Sequence, residues 1–239
     1  MSSQPQPRQL KRRTLALEVA DNLRDMILTG ELAPGSRATQ DELARLLGVS
    51  TMPVREALLR LAAEGFVEAT PNRSFTVTRT SREDVRDIYW VHSMLAGELT
   101  MRACQRVDDR LVRTLEDLAA QCAAALRAGD TNELGAANWE FHRTINRAAD
   151  APKLLIFLRS SLRFIPRSFY FHLPSWGLAS EADHLAIVEA FRRREPEAAR
   201  AAAKKHVRDA GEVLIQTFST NGYWARPRGA EQQEAKARA

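Results

Sequence analysis

Three histidines in the second half of the chain have the type and spacing that point to chemistry. His142 closes the run NWEFH, four residues after Asn138, so on a helix both side chains leave the same face. His184 follows in EADHLAIVEAF and His206 in AAAKKHV. Three imidazoles and an amide oxygen gathered inside a helical core suit a divalent transition metal: zinc, nickel, manganese or iron. Taken one by one, the same residues also read as ordinary hydrogen-bonded or surface histidines. Catalysis at such a centre needs a general base beside it, and no Asp or Glu is placed by motif to serve.

The elements that must position these residues read as helices. From Ser81, a cap with acids in the following turn, candidate helices cover 82–105, 108–128, 131–148, 152–170, 180–194 and 196–220. Breaks fall at Asp108, Gly129-Asp130, Pro152, Pro174-Ser175 and Glu195-Pro196. Six amphipathic helices with short links predict an antiparallel bundle, whose ligand sites lie between facing helices. His184 is expected to open its helix.

Ahead of this, Gly30–Val67 reads GELAPGSRATQDELARLLGVSTMPVREALLRLAAEGFV. Thr39 and Glu42 have the spacing of a capping box, Leu43, Leu46 and Leu47 form an apolar face, and Gly48 supplies a left-handed stop. Ser50 is expected to cap the next helix, with Pro53 tolerated in its first turn and Val54, Ala57, Leu58 and Leu61 facing inward. Gly65 ends it, and Val67–Thr70 and Phe75–Thr78 read as two strands of a wing. This is the pattern of a winged helix-turn-helix, which lays its second helix in the DNA major groove. The fold class is therefore mainly α: an N-terminal winged helix-turn-helix with a small β-wing, then an antiparallel all-α bundle. Residues 1–9 are expected to be disordered, 10–79 to form the DNA-binding domain, 80–220 the effector-binding and dimerisation domain, and 221–239 a flexible tail.

The Gly30–Val67 stretch resembles the DNA-binding domain of the GntR family of bacterial transcription regulators, across the motif P-V-R-E-A-L and the glycines on either side. The second half is similar to the FadR-type C-terminal domain (FCD), in DVRDIYWVHSMLAGELTMRA, ANWEFHRTINRAADAPKL and EADHLAIVEAFRRREPEAARAAAKKHV. The resemblance implies a regulator, most simply a repressor, and not an enzyme. Such a regulator is expected to bind an imperfect palindrome of double-stranded DNA as a homodimer and to answer to a small organic acid.

In metal-binding members of that family, Asp-x-x-x-His and two later histidines are the ligands. They correspond to Asn138, His142, His184 and His206, with an uncharged amide where an Asp is common. Arg163 and Arg167 are candidates to pair with the acid. His92 stands where the family often has Arg, and Ala96 where it has Glu, so His92 either lines the effector pocket or fills the vacated space. Among the aromatics near this region, Trp139, Phe141, Phe157, Phe164 and Trp176 included, most are expected in the core, with some forming an apolar pocket wall.

For DNA, Arg55 matches the family arginine of P-V-R-E-A-L. Two other arginines common in the family are replaced by Thr51 and Asp41, which implies a different operator. Thr51, Met52 and Gln40 become candidate readers, Arg45 and Arg60 candidate phosphate contacts, and Arg73 a wing contact. Two alternatives stay open: a metal-dependent enzyme that keeps a DNA-binding domain, and a regulator with an empty metal site sensing another ligand.

Composition sets outer bounds. The net charge is +5, but residues 1–80 hold 11 Lys/Arg against 9 Asp/Glu, so bulk charge does not argue for DNA; arginine placement must. No apolar run reaches membrane-span length, and MSSQPQPRQLKRR lacks the apolar core of a secretory signal. A cytoplasmic protein without membrane contact is expected. Cys104 and Cys122 have neither metal-ligand nor redox spacing and read as reduced.

Overall fold

The computed structural model describes residues 12–70, 74–165, 174–220 and 222–224. They form two compact units: one runs to Thr80 and takes up the chain again at Tyr223, the other spans Ser81–Gly222. The expected disorder of residues 1–9 and most of the expected tail lie outside the described residues.

The first unit is ordered α1 (Arg12–Leu28), β1 (Arg37–Thr39), α2 (Gln40–Leu47), α3 (Thr51–Ala63), β2 (Val67–Thr70) and β3 (Ser74–Val77). Its core is Leu23 from α1 against Val54 and Leu61 from α3, all fully buried. The Thr39–Glu42 capping box is present: the Glu42 N–H donates to the Thr39 hydroxyl at 3.3 Å, and the Thr39 N–H to the Glu42 carboxylate at 2.8 Å. Gly48 closes α2 at φ 65°, a left-handed backbone that glycine adopts without a Cβ penalty. Ser50 occupies the cap position of α3, but its hydroxyl makes no capping bond, contrary to expectation.

The wing has a strand more than the sequence suggested. β1 pairs antiparallel with β3, Ala38 opposite Phe75, and β3 pairs with β2, giving the order β1-β3-β2. Three residues are too few to show a period-two pattern, so β1 exists only through its partner. Tyr223 is buried in this unit against Gly30, within the stretch expected to fray.

The second unit is helical: α4 (Arg82–Gln105), α5 (Asp109–Ala128), α6 (Thr131–Ala148), α7 (Pro152–Ser161), a 3-10 turn (Leu162–Phe164), α8 (Pro174–Arg192) and α9 (Pro196–Thr220). Ser81 and Asp84 cap α4 reciprocally. α4 and α9 pack most extensively, and small residues let their backbones approach. A Cβ on Gly211 would lie 2.7 Å from the Tyr89 ring. Leu99, Leu115, Phe141, Ile187 and Phe191 are fully buried between α4, α5, α6 and α8.

This is the mainly α architecture expected, with two corrections. The helix read as 152–170 ends at Ser161 and tightens into the 3-10 turn, and residues 166–173 lie outside the described residues. The helix read as 180–194 starts at Pro174, where proline's missing N–H has no helical acceptor to lose. His184 therefore sits in mid-helix. Among the described residues, no helix is long and apolar enough to cross a membrane.

Candidate functional site

α6, α8 and α9 each present one imidazole to the same point. The ring centroids of His142, His184 and His206 are 5.3, 5.1 and 5.0 Å apart pairwise, and one nitrogen from each lies within 4.8 Å of the others. Phe141 stacks on His184 at 4.3 Å and backs the cluster with core.

The hydrogen bonding leaves donor atoms spare. His206 Nδ1 faces Asp183 Oδ2 at 3.5 Å, and Asp183 also accepts from Lys205 at 2.9 Å. Burial alone would raise the Asp183 carboxyl, but the bonds from His206 and Lys205 outweigh it and hold it below its ordinary range. An imidazole donating Nδ1–H to a carboxylate keeps Nε2 free for a metal. Ser180 Oγ lies 3.5 Å from His184 Nε2, while His184 Nδ1 is buried with no partner among the described residues. Asn138 Oδ1 is likewise buried and unpartnered.

Burial, reinforced by His206 and then His92, holds His142 well below the usual imidazole value; burial, His206 and His142 do the same for His184. Both are neutral, as a metal ligand must be. Buried acceptors without donors are costly, and an ion satisfies them together. The residues present fit a divalent ion held by three imidazoles and one amide oxygen.

Asn138, His142 and His206 open onto a cavity of about 600 Å³ bounded by α4, α6, α7, α8 and α9. His92 lines it, buried, with Nδ1 and Ser161 Oγ 2.8 Å apart, and Ala96 lies beside it. The arginines at the cavity are Arg143, Arg147 and Arg159. Arg163 is exposed on the 3-10 turn and is not among the lining residues, and Arg167 lies outside the described residues. The lining arginines stand instead on α6 and α7, and their approach to the cavity depends on how those helices pack. Trp139, Arg143 and Arg147 recur every fourth residue along α6, which puts them on one face of that helix. The apolar wall is mostly aliphatic, with Leu155, Leu158 and Leu162 among its members, and Tyr89 and Trp139 add aromatic rings. Phe157, expected in the core, is 62% exposed, because it lies on the face of α7 turned away from the bundle.

In the first unit, Thr51, Met52 and Arg55 are exposed on the opening turns of α3, while Pro53, Val54, Ala57 and Leu58 are buried beneath. Gln40 is half-buried at the start of α2, and Arg45 is exposed with its Nε–H on the Asp41 carbonyl at 3.4 Å. Arg60 is tied at 3.2 Å to Glu64, which also pairs with Arg24. Arg73 lies outside the described residues. Cys104 and Cys122 are buried free thiols, and burial pushes Cys122 up to about 11.

A winged helix-turn-helix followed by an all-helical unit is the architecture of a DNA-binding regulator. Comparison with known proteins agrees. Residues 15–77 match the family of bacterial regulatory proteins described as gntR, and residues 87–209 match the FCD domain. An uncharacterised HTH-type transcriptional regulator of Mycobacterium tuberculosis is 30% identical over 189 residues, covering 77% of this chain and 75% of the relative. The HTH-type transcriptional repressor RspR of Escherichia coli is 24% identical over 197 residues, 81% of this chain and 86% of RspR. The solved structure of E. coli McbR/YncC superposes with a TM-score of 0.65 at 23% identity, over 85% of this chain and 98% of that one. The chain belongs to the GntR family, with an FCD domain as its second unit. It is a DNA-binding transcriptional regulator, and neither the family nor these relatives are enzymes.

Proposed function

We propose that this regulator is a homodimeric repressor whose affinity for a palindromic operator is set by a small carboxylate bound at a metal centre in the second unit. The observation that carries the reading is the convergence of His142, His184 and His206, with the buried, unpartnered oxygen of Asn138 in the wall of the cavity that His142 and His206 line. RspR, a named repressor, supports the direction of control.

The four residues would hold the ion, and its open positions would supply a Lewis-acidic anchor for a carboxylate. Asp183 orients His206 and Ser180 orients His184. Imidazole and amide ligands bring no negative charge of their own, so the bound ion would favour an anionic ligand. His92, fixed by Ser161, would line the effector pocket beside the centre. Control follows if the ligand binds one placement of the winged units better than the other, and it cannot exceed that difference in affinity.

On DNA, residues 10–79 would place α3 in the major groove, with Arg55 reading base edges and Thr51 and Met52 beside it. Gln40 would be a further reader, Arg45 a phosphate contact and Arg73 a contact from the wing. Arg60, held by Glu64, is the weakest member of the set. Residues 80–220 would bind the effector and form the dimer.

The test is metal analysis of protein purified without chelators, beside His142→Ala and a thermal-shift panel of carboxylic acids. Close to one ion per subunit is expected, lost in the variant together with the acid-dependent shift. Absence of metal after reconstitution with zinc, nickel, manganese and iron overturns the assignment.

A further inference from the structure

The cavity beside the three histidines has little polar character left for a ligand once an ion is bound. Arg147 and Arg159 are exposed, and Arg143 is paired at 2.6 Å with Glu140, whose carboxylate also interacts with Arg147. Among the described residues, no Asp or Glu lines the cavity. Its buried polar groups are engaged within the protein. The Thr100 hydroxyl donates to the Ala96 carbonyl at 2.8 Å, His92 meets Ser161 at 2.8 Å, and His206 faces Asp183. What remains of the buried wall is hydrocarbon: Ile145, Leu158, Ile187, Ala203 and Val207, with the ring of Tyr89.

The layout of this wall is the second observation. Leu155, Leu158, Leu162 and Ile165 line the cavity at i, i+3, i+7 and i+10, one stripe running from α7 through the 3-10 turn. From Leu155 to Leu162 it is roughly 10 Å long, the length of an extended chain of about eight carbons. α4 and α9 contribute small side chains instead: Ala96 on α4, and Ala203, Val207 and Ala210 at i, i+4 and i+7 on α9. Small side chains there leave open a space of about 600 Å³, the size that takes a drug-sized ligand. An apolar wall holds water poorly, so hydrocarbon is the occupant that suits it.

We propose that the effector is a monocarboxylic acid with a hydrocarbon body of about eight carbons, its carboxylate at the His142–His184–His206 centre and its body along the α7 stripe. This rests on the metal-anchored reading above and names the class of acid. A second carboxylate at the far end of such a body would lie against leucines and lose its water without gaining a partner. Each methylene buried on the stripe is worth about fourfold in affinity.

The test is calorimetric titration of the full-length protein, carrying the ion it retains on purification, with butyrate, hexanoate, octanoate and octanedioate. The last matches octanoate in length but is charged at both ends. Affinity is expected to rise at least about tenfold for every two carbons, with octanedioate at least about tenfold weaker than octanoate. In Leu155→Asn the gain per carbon should fall by about half, with metal content unchanged. A gain that is undiminished there removes the body from the α7 stripe. Equal affinities along the series, or octanedioate binding tightest, overturn the hydrocarbon body; the metal anchor stands if that binding is lost in His142→Ala. A length preference that survives in His142→Ala keeps the body and removes the metal anchor. If none of these acids binds, both readings fall.

Discussion

Asp183 touches no cavity surface, yet it decides which nitrogen of His206 faces inward. Asp183→Asn keeps the shape but weakens the acceptor, and carboxylates behind metal-bound histidines are commonly worth 10- to 100-fold in affinity. A loss of about that size is expected in a competitive chelator titration, with the helical content unchanged. Arg55 makes a different kind of contact. Arg55→Ala is expected to cost about 1–3 kcal/mol in operator binding and to relax the preference at one base pair, read by comparing single-substituted operators. The histidines and Asn138 were visible from spacing and family pattern. Asp183, Ser180 and the lining arginines were not, because their roles depend on which faces of α6, α7, α8 and α9 meet, and no local pattern states that.

At the level of the element, the capping boxes and the helices 82–105, 131–148 and 196–220 were legible, while the Ser50 cap and some other boundaries were not. Thr39–Glu42 and Ser81–Asp84 were readable because a capping box needs only four residues and no partner. β1 and the early start of α8 were lost because one depends on a strand elsewhere and the other on a proline that can begin a helix as well as break it. Ser81→Ala is expected to destabilise the helical unit by about 1 kcal/mol in urea at constant slope. Hydrogen bonds from the Ser81 N–H and hydroxyl hold the Asp84 carboxyl below its usual range. A lowered folded value means that this stabilisation is complete above about pH 4, near the ordinary aspartate value, and is lost as the pH falls through the folded value. The difference between Ser81→Ala and the unmutated protein should therefore shrink on acidification.

Across the whole molecule, the helical unit exposes apolar groups that its own core does not use: Trp90, Val91 and Met94 on α4, and Ile156 and Phe157 on α7, which packs against α4. In the homodimer proposed above, a second copy would cover them. Trp90→Glu combined with Phe157→Glu is expected to give a monomer by light scattering. It should also reduce affinity for the full palindrome towards that of a half-site, with no change in metal content.

The buried ring of Tyr223 bears on how the protein can be cut. It packs against Gly30, and its hydroxyl is hydrogen-bonded to Thr80, the last residue before the helical unit. A fragment stopping at Thr80, the obvious choice for preparing the DNA-binding domain in isolation, omits a side chain belonging to that domain's interior. Such a fragment should melt earlier than the same domain within the full chain. Operator affinities measured on it would then carry the cost of a missing wall as well as of a missing effector domain.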